Sequence, residues 1–370
     1  MYLYIVLSGG NKLKVINIAE FQKDLIEWFY REQRILPWRE NKDPYRVWVS
    51  EIMLQQTKVD TVIPYFNNFM EKFPNLKSLA EAPEEEVLKA WEGLGYYSRA
   101  RNLQTAVKEV VENYESVVPN TKEEISKLKG VGPYTAGAVL SIAYGVPEPA
   151  VDGNVMRVFS RLHCLEDDIA KSSSRKVFEQ AVTKLISHED PSAFNQAIME
   201  LGALICTPTS PKCLLCPVNE HCLAYEEGRQ LEFPVKSKKV KVTNKDMSVL
   251  LLRNEEGKIL VQKREEQGLL ANLWQFPTEE MILSSISPFE HWKQWALEKT
   301  NQPIEAFDYV DSVEHVFSHL RWNMKIYKAQ TTNTILTDEN LRWIEEDEFE
   351  QLPFARVNQI IFNKFFGKNF

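Results

Sequence analysis

The sequence lacks any long apolar run and has no excess of positive charge. Its apolar start, Tyr2 to Leu7, is too short to cross a bilayer and follows no basic segment, so we expect neither a membrane span nor export. The 44 Lys and Arg residues are outnumbered by 52 Asp and Glu, which gives a formal net charge of −8. This balance excludes a broadly basic surface, although backbone N–H groups at helix N-termini can bind phosphates without Lys or Arg. A cytoplasmic protein is expected.

Cysteine is also rare, but its distribution is informative. Four of the five cysteines, Cys206, Cys213, Cys216 and Cys222, follow the pattern C-x6-C-x2-C-x5-C. In a reducing compartment, thiolates at such spacing hold a metal or a cluster more often than they form disulfides. Structural zinc and an iron–sulfur cluster both accept four thiolates, so the number of ligands leaves both open. Cys164 stands apart among apolar neighbours and is interpreted as a buried small hydrophobe.

The length of 370 residues and a hydrophobic content of 44% predict two domains. Apolar residues first recur at helical spacing, as in Phe21, Leu25 and Trp28, and then give way to a lysine-rich stretch and short β-prone runs. The acidic runs Glu84–Glu86 and Glu345–Glu348 are interpreted as solvated faces. The predicted divisions are an N-terminal extension (1–15), an all-α domain (16–225), a flexible linker (226–245) and an α+β domain (246–370).

The α+β domain is predicted from alternating strand and helix signals. Ser248–Leu252 and Ile259–Gln262 are β-prone runs separated by a turn, which predicts a hairpin. A helix is expected at Pro288–Lys299, with further strands near Phe307–Val313 and Trp322–Ala329.

A glycine-rich turn lies between two predicted helices. Thr121 and Glu124 have the spacing of a capping box, and Gly130 is expected to end that helix after about nine residues. Gly130 and Gly132 also allow backbone N–H groups to approach a phosphate, although an ordinary turn is the alternative. Asp152 follows about one helix later, where it can act as a catalytic carboxylate, as an N-cap, or as both.

Together, Leu128–Gly137, Val151–Val155 and the cysteine loop resemble the helix-hairpin-helix endonuclease III superfamily. Pro37–Arg39 and Val47–Thr57 resemble the MutY family of adenine DNA glycosylases within it. The resemblance covers most of residues 20–365. It implies a helical glycosylase domain with a [4Fe–4S] cluster on the four cysteines, followed by a C-terminal Nudix-like domain. The implied function is excision of adenine opposite 8-oxoguanine or guanine in duplex DNA, by a monomer associated with the bacterial nucleoid.

The same resemblance implies roles for particular residues. Glu51 is the expected general acid, because its apolar neighbours raise a carboxyl pKa, although periodicity alone places it on an exposed helix face. Asp152 is expected to stabilise the sugar cation, with Tyr134 and Asn154 orienting it. Endonuclease III enzymes carry a lysine where Tyr134 stands, so base excision without strand cleavage is implied. The implied DNA contacts are Arg39, Gln56, Tyr96, Arg99, Gly130 and Gly132.

The C-terminal domain resembles a Nudix domain over Gly268–Pro277. Thr278–Glu280 replaces the glycines expected next, and no R-E-x-x-E-E run follows, so a binding domain without hydrolase activity is expected. Phe317, Ser318 and His319 resemble the loop that recognises 8-oxoguanine in the MutY family, although a simple strand-end turn is the alternative.

Two other functions stay open from the sequence. One is a bifunctional thymine-glycol or abasic-site lyase, against which Tyr134 and the Nudix-like segment argue. The other is a mismatch-binding or iron–sulfur scaffold protein that performs no catalysis.

Overall fold

The computed structural model describes residues 4–9, 12–237, 242–281, 287–301, 303–332, 335–336 and 338–366, with side chains described from Ile16 onwards. The chain divides into two compact units, Met1–Glu81 with Asn102–Lys238, and Ala82–Arg101 with Lys239–Phe370. The predicted order of a helical domain followed by an α+β domain is confirmed. In the described residues, no helix is long and apolar enough to cross a membrane.

Helices dominate the chain as far as residue 226. They are α1 (Ile18–Glu32), α2 (Pro44–Leu54), α3 (Val59–Lys72), α4 (Leu76–Glu81), α5 (Glu84–Ala90), α6 (Ser98–Asn113), α7 (Lys122–Ile125), α8 (Pro133–Tyr144), α9 (Gly153–His163), α10 (Arg175–Leu185), α11 (Pro191–Leu204) and α12 (Leu223–Glu226). A core of the first unit contains aromatic side chains from α1, α9, α10 and α11, namely Phe21, Phe159, Phe178 and Phe194.

Helix α8 is buried along most of its length. It starts with Pro133 at its first position, where a missing N–H costs no hydrogen bond, and it ends at Gly145 in the left-handed conformation (φ +69°). All residues from 135 to 142 are buried, because α2 packs against α8 and α11 packs against both α8 and α9. This packing brings together α2 and the N-terminal ends of α8 and α9.

The helix predicted from the capping box is shorter than expected. Thr121 caps α7 as predicted and accepts from the Glu124 N–H at 3.3 Å, but the helix ends at Ile125 after four residues instead of about nine. Tight turns replace it, since Leu128 N–H donates to Ile125 O and Val131 N–H to Leu128 O. These turns lead into the Gly130 hairpin.

The second unit is built on a mixed sheet. Two strands of the first unit, β1 (Tyr4–Gly9) and β2 (Lys12–Asn17), precede α1 and are not part of this sheet. The strands of the second unit are β3 (Thr243–Asn254), β4 (Ile259–Lys263), β5 (Trp274–Gln275), β6 (Thr278–Glu280), β7 (Glu305–Val316), β8 (Leu320–Thr331) and β9 (Leu341–Ile344). The order is β5-β4-β3-β8-β7, with β6 paired to β3 and β9 to β4. The predicted β3–β4 hairpin is present, and β3 and β8 pair in parallel. Helices α13 (Pro288–Thr300) and α14 (Arg356–Phe365) complete the unit.

Residues 82–101 belong to the second unit, although the predicted bounds include them in the helical domain. Their acidic run explains the difference. Glu84 accepts from Asn272 Nδ2 at 2.6 Å, and Glu85 accepts from the Trp274 indole N–H. The interpretation of Glu84–Glu86 as a purely solvated face is therefore wrong for these two carboxylates.

The predicted linker and N-terminal extension also contain ordered structure. Phe233 is buried and its carbonyl accepts from Arg161, so residues before 238 pack on the first unit, and the linker's end forms the start of β3. Residues 238–241 lie outside the described residues. Within residues 1–15, β1 pairs with β2 as an antiparallel hairpin, and residues 1–3, 10 and 11 lie outside the description.

His163 near the end of α9 predicts a pH-dependent contribution to stability. It is 2% exposed, and neither ring nitrogen has a hydrogen-bond partner within the described residues. Burial, assisted by the charge of Lys184, lowers the pKa of His163 to about 3. In the unfolded chain His163 takes up a proton below pH ~6.5, whereas in the folded chain it does so only near pH 3. The contribution of neutral His163 to the free energy of unfolding is therefore fully present above pH ~6.5 and is lost progressively as the pH falls towards about 3.

His163→Leu is therefore expected to reduce the loss of unfolding free energy between pH ~7 and pH ~5 by about 2 kcal/mol. Urea unfolding at the two pH values measures this, with the exposed His188→Leu as the matched control. Equal losses in wild-type, His163→Leu and His188→Leu proteins would show that His163 is not the responsible group.

Candidate active site

One cavity in the first unit contains all four residues predicted to act in catalysis. Glu51 comes from α2, Tyr134 from the first turn of α8, Asp152 from the N-cap of α9, and Asn154 from its first turn. The apolar side chains that line this cavity include Trp38, Leu54 and Ile142. The structure therefore brings the two predicted carboxyl groups to a single site, although they are 101 positions apart in the sequence.

Glu51 is a carboxyl group in an otherwise apolar stretch of helix. Residues 47–53 of α2 are all buried, and Glu51 itself is 5% exposed. Burial raises the pKa of Glu51 to about 7; the Tyr134 hydrogen bond and the Arg39 charge oppose this rise, while the Asp152 charge adds to it. Glu51 can therefore hold a proton near neutral pH and release it to a bound group.

Tyr134 acts on Glu51. Its hydroxyl donates a hydrogen bond to Glu51 Oε2. Burial raises the pKa of Tyr134 well above its ordinary value, so the ring stays a neutral phenol and remains a donor. The prediction that Tyr134 orients Asp152 needs correction, because the packing of α8 on α2 directs its hydroxyl to the other carboxyl group.

Asp152 is held in place by two N–H donors. Oδ1 accepts from the Val155 backbone N–H at 2.7 Å, and Oδ2 accepts from Asn154 Nδ2 at 2.9 Å. Burial raises the pKa of Asp152, and both hydrogen bonds oppose that rise because they stabilise the anion. Within the described residues Glu51 accepts one hydrogen bond, so a shared proton is better placed on Glu51. The N-cap role of Asp152 is therefore compatible with a role in catalysis.

The position of Asn154 depends on Arg157 and Gly202, two residues that the motifs did not identify. Asn154 Oδ1 accepts from Arg157 Nη2 at 2.9 Å, and Arg157 also donates to the carbonyls of Gly202 and Cys206 at 2.8 Å each. A Cβ on Gly202 would lie 2.8 Å from Asn154 Cβ, so only glycine fits there. Asn154 and Arg157 are three positions apart on α9, and this spacing is the sequence signal that indicates their contact.

Arg39 forms an ion pair with the buried Glu200. Glu200 is 1% exposed and accepts from Arg34 Nε at 2.8 Å and from Arg39 Nη2 at 3.1 Å. Although burial by itself raises the pKa of Glu200, the Arg34 hydrogen bond and the Arg39 charge lower it to about 2. A buried carboxylate needs such partners. Arg39 also lines the cavity that contains Glu51, and its predicted contact with DNA stays a prediction.

The glycine hairpin lines a second cavity of the first unit. Gly130 is left-handed (φ +76°), and a Cβ there would lie 2.8 Å from Asn102 Cβ, so the turn requires glycine. Gly132 is the N-cap of α8 and has no side chain to satisfy the first N–H groups of that helix. Gln56 and Asp152 line the same cavity, which places the predicted phosphate grip beside the predicted catalytic carboxylate. Arg175, which no motif identified, also lines it.

The four cysteines of the loop line one further cavity, together with apolar side chains of α9 and α11. In the part of the chain that the structure describes, no three His, Cys, Asp or Glu side chains are grouped to hold a single metal ion. Arg161 is 2% exposed and donates from Nη1 to Cys206 Sγ at 3.2 Å and to Thr207 O at 2.8 Å. Thiol donors around a shared space, with a buried cation against one sulfur, fit an anionic cluster.

The three residues predicted to recognise 8-oxoguanine line a cavity of the second unit together with Tyr96. Phe317, Ser318 and His319 form the turn between β7 and β8, and the Tyr96 hydroxyl lies 2.5 Å from Ser318 Oγ. The Phe317 ring makes an edge contact with Trp322, at 4.9 Å between centroids, which fixes its orientation. The segment is a turn at the end of a strand, as the alternative interpretation from the sequence states. It also lines a cavity, so the two interpretations are compatible.

Arg99 supports the Tyr96 loop. Its Nη2 donates to the carbonyls of Leu94 at 3.3 Å and Gly95 at 3.1 Å, and its guanidinium lies 5.5 Å from the Tyr96 ring centre. Burial lowers the pKa of Arg99 to about 10. These donors hold the loop in place, and the predicted contact of Arg99 with DNA stays a prediction. Tyr96 has a left-handed backbone (φ +48°), which this support stabilises.

Three family models match the chain. The HhH-GPD superfamily base excision DNA repair protein matches residues 49–185, the iron–sulfur binding domain of endonuclease III matches residues 206–222, and a NUDIX domain matches residues 248–364. A solved thermostable thymine-DNA glycosylase is similar to this chain with a TM-score of 0.51 and 28% identity. That match covers 57% of this chain and 97% of the other.

Curated relatives match nearly the whole chain. The adenine DNA glycosylase of Schizosaccharomyces pombe is 33% identical over 92% of this chain and 88% of its own length. The Homo sapiens adenine DNA glycosylase is 32% identical over 96% of this chain and 75% of its own length. The iron–sulfur match shows that the cysteine loop binds an iron–sulfur cluster. On these similarities the chain belongs to the MutY-type family of adenine DNA glycosylases.

Proposed function

We propose that the protein hydrolyses the N-glycosidic bond of adenine that lies opposite 8-oxoguanine or guanine in duplex DNA. The observation that carries this proposal is the presence of a protonatable Glu51 and a fixed Asp152 in one cavity. Adenine leaves readily only when its ring is protonated, and the sugar then becomes positively charged. The reaction therefore needs one acid and one anion.

The two carboxyl groups divide this work. Glu51 donates its proton to the adenine ring, and the Tyr134 hydroxyl holds the Glu51 carboxyl in place before and after the transfer. Asp152, fixed by Val155 and Asn154, stays ionised and stabilises the sugar cation until water adds to it and gives up a proton, which returns to the Glu51 carboxylate. Removing the adenine from the base stack is required first, because neither carboxyl group can reach a base inside a duplex.

The hairpin supplies a grip on the strand that carries the adenine. The N–H groups at the start of α8, next to Gly132, bind a backbone phosphate, which explains DNA binding at a formal net charge of −8. Gln56 lines the same cavity and has a left-handed backbone (φ +58°). Its proposed role is to fill the gap that the displaced adenine leaves in the base stack. This grip reads no base sequence.

The groups that line the two cavities of the first unit support base excision without strand cleavage. A lyase needs a lysine amine that forms a Schiff base with the opened sugar. No lysine is among the described residues that line either the catalytic cavity or the hairpin cavity, and Tyr134 is a neutral phenol committed to Glu51. The proposed product is an abasic site in an intact strand.

We further propose that the cluster is of the [4Fe–4S] type, held by Cys206, Cys213, Cys216 and Cys222. The four cysteines line one shared space and supply the four thiolates that such a cluster binds. The Arg161 guanidinium donates to Cys206 Sγ and suits the cluster's negative charge. When bound, the cluster cross-links the loop and supplies a redox couple.

The proposed acid is tested by single-turnover release of free adenine from a duplex with adenine opposite 8-oxoguanine. Glu51→Gln is expected to slow release by about 10²–10⁴-fold, because it removes the proton donor and keeps the shape. Asp152→Asn is expected to abolish release while duplex binding persists. Glu71→Gln, at an exposed position of α3, is the matched control and keeps the wild-type rate.

A wild-type rate for Glu51→Gln would contradict the assignment of the acid. Borohydride added to the wild-type reaction tests the alternative lyase function, which efficient covalent trapping of the protein on DNA would favour. Binding of the duplex without release of adenine would favour the scaffold protein.

The pH dependence of release tests the Tyr134 contact. Release requires protonated Glu51, so the rate falls as pH rises through about 7. Tyr134→Phe removes a hydrogen bond that lowers the pKa of Glu51, so the alkaline fall is expected to move to higher pH. Single-turnover rates from pH ~6 to ~9 measure the shift. Tyr144→Phe on the same helix is the control, and a Tyr134→Phe profile that matches it would refute the contact's role.

Ser318 is proposed to recognise the base opposite adenine. Ser318→Ala removes one hydrogen bond and is expected to lower the preference for 8-oxoguanine over guanine about fivefold. The ratio of release rates from the two duplexes measures it, with Ser312→Ala on β7 as the matched control. An equal loss with Tyr96→Phe would show that Ser318 acts through Tyr96, and unchanged discrimination in Ser318→Ala would remove the assignment.

A further inference from the structure

Arg175 is unusual among the arginines of the first unit. Among the described arginines of that unit, it alone has a side chain that makes neither a hydrogen bond nor an ion pair; the arginines with partnered side chains are Arg31, Arg34, Arg39, Arg46, Arg157, Arg161 and Arg229. Arg175 is nevertheless partly buried as the first residue of α10. A guanidinium carries five N–H groups that need acceptors. The side chain is therefore suited to an acceptor that the protein itself does not supply.

The location of Arg175 indicates what that acceptor is. Arg175 is the only cationic side chain among the described residues that line the hairpin cavity, where it stands with Gly130, Gly132 and Asp152. Asp152 is the anion of this cavity, but its two oxygens already accept from Val155 and Asn154. Arg175 therefore remains available to a ligand that enters beside the catalytic carboxylate.

We propose that Arg175 binds a backbone phosphate of the DNA strand that carries the excised base, as a second grip next to the glycine hairpin. This inference rests on the proposed function, since it assumes that a DNA strand occupies the hairpin cavity. An extruded nucleotide is flanked by two phosphates, and a guanidinium can bind a phosphate through two parallel N–H···O bonds. Its charge also offsets the repulsion between Asp152 and the approaching strand.

Phosphate binding makes a quantitative prediction about salt. Each neutralised phosphate contributes about 0.9 to the slope of log K against log salt concentration. Arg175→Gln is therefore expected to reduce that slope by about 1 and to weaken binding about tenfold at low salt. Arg175→Lys keeps the charge and is expected to retain the slope, with weaker binding because the bidentate geometry is lost. Lys176→Gln changes the same charge at the next, exposed position outside the cavity and is the matched control.

The experiment uses the full-length protein and a duplex with a stable abasic analogue opposite 8-oxoguanine, so that no turnover occurs. Equilibrium binding is measured from about 50 to about 200 mM salt, and repeated with guanine opposite the analogue. The proposal expects Arg175→Gln to lose the same slope and affinity on both duplexes. It is overturned if Arg175→Gln matches Lys176→Gln, or if its defect appears on one duplex only, which would indicate a base contact.

Failure of this proposal is distinguishable from failure of the proposed function. Adenine release by the wild-type protein is measured separately, so a wild-type enzyme that releases adenine while Arg175→Gln keeps the full salt slope refutes the Arg175 contact alone. Absence of release by the wild-type protein, with a reduced slope for Arg175→Gln, refutes the proposed reaction and retains the phosphate contact.

Discussion

The hydrogen bond from the Tyr134 hydroxyl to Glu51 is the interaction on which the site depends. It joins α8 to α2 inside the first unit and fixes a carboxyl group that burial keeps protonatable near neutral pH. Asp152 shares the cavity but accepts two N–H hydrogen bonds, which favour its anion. In the proposed reaction the two groups take different protonation states, with Glu51 protonated and Asp152 ionised, and acid-assisted cleavage of a glycosidic bond requires this difference.

Helix α9 connects this chemistry to the cluster loop. Asp152 caps its N-terminus, Asn154 supports Asp152, and Arg157 joins Asn154 to the Cys206 carbonyl, with Gly202 leaving the room that Asn154 needs. The loop that binds the iron–sulfur cluster is therefore linked through Arg157 and Asn154 to Asp152, the proposed catalytic carboxylate. The cluster's structural contribution to the site can be understood through these contacts.

Much of the site could be predicted from the sequence, because short motifs specify backbone conformations. Gly130 and Gly132 predict a hairpin, and Asp152 followed by Gly153 predicts an N-cap. Contacts between distant segments could not be predicted this way. The Tyr134–Glu51 bond depends on how α8 packs against α2, and Arg39 is held by Glu200, which lies 161 positions away. Residues 82–101 join the second unit through carboxylates that composition alone assigns to solvent.

The central claim concerns the protonation state of one buried side chain, and it can be measured without DNA. Carboxyl ¹³C NMR of protein labelled at glutamate, with the Glu51 resonance assigned by its absence in Glu51→Gln, reports the titration of this group directly. A midpoint near pH 7 is predicted, because burial opposes ionisation. A midpoint near the ordinary glutamate value of about 4.5 would mean that Glu51 is ionised at neutral pH, and would contradict the account.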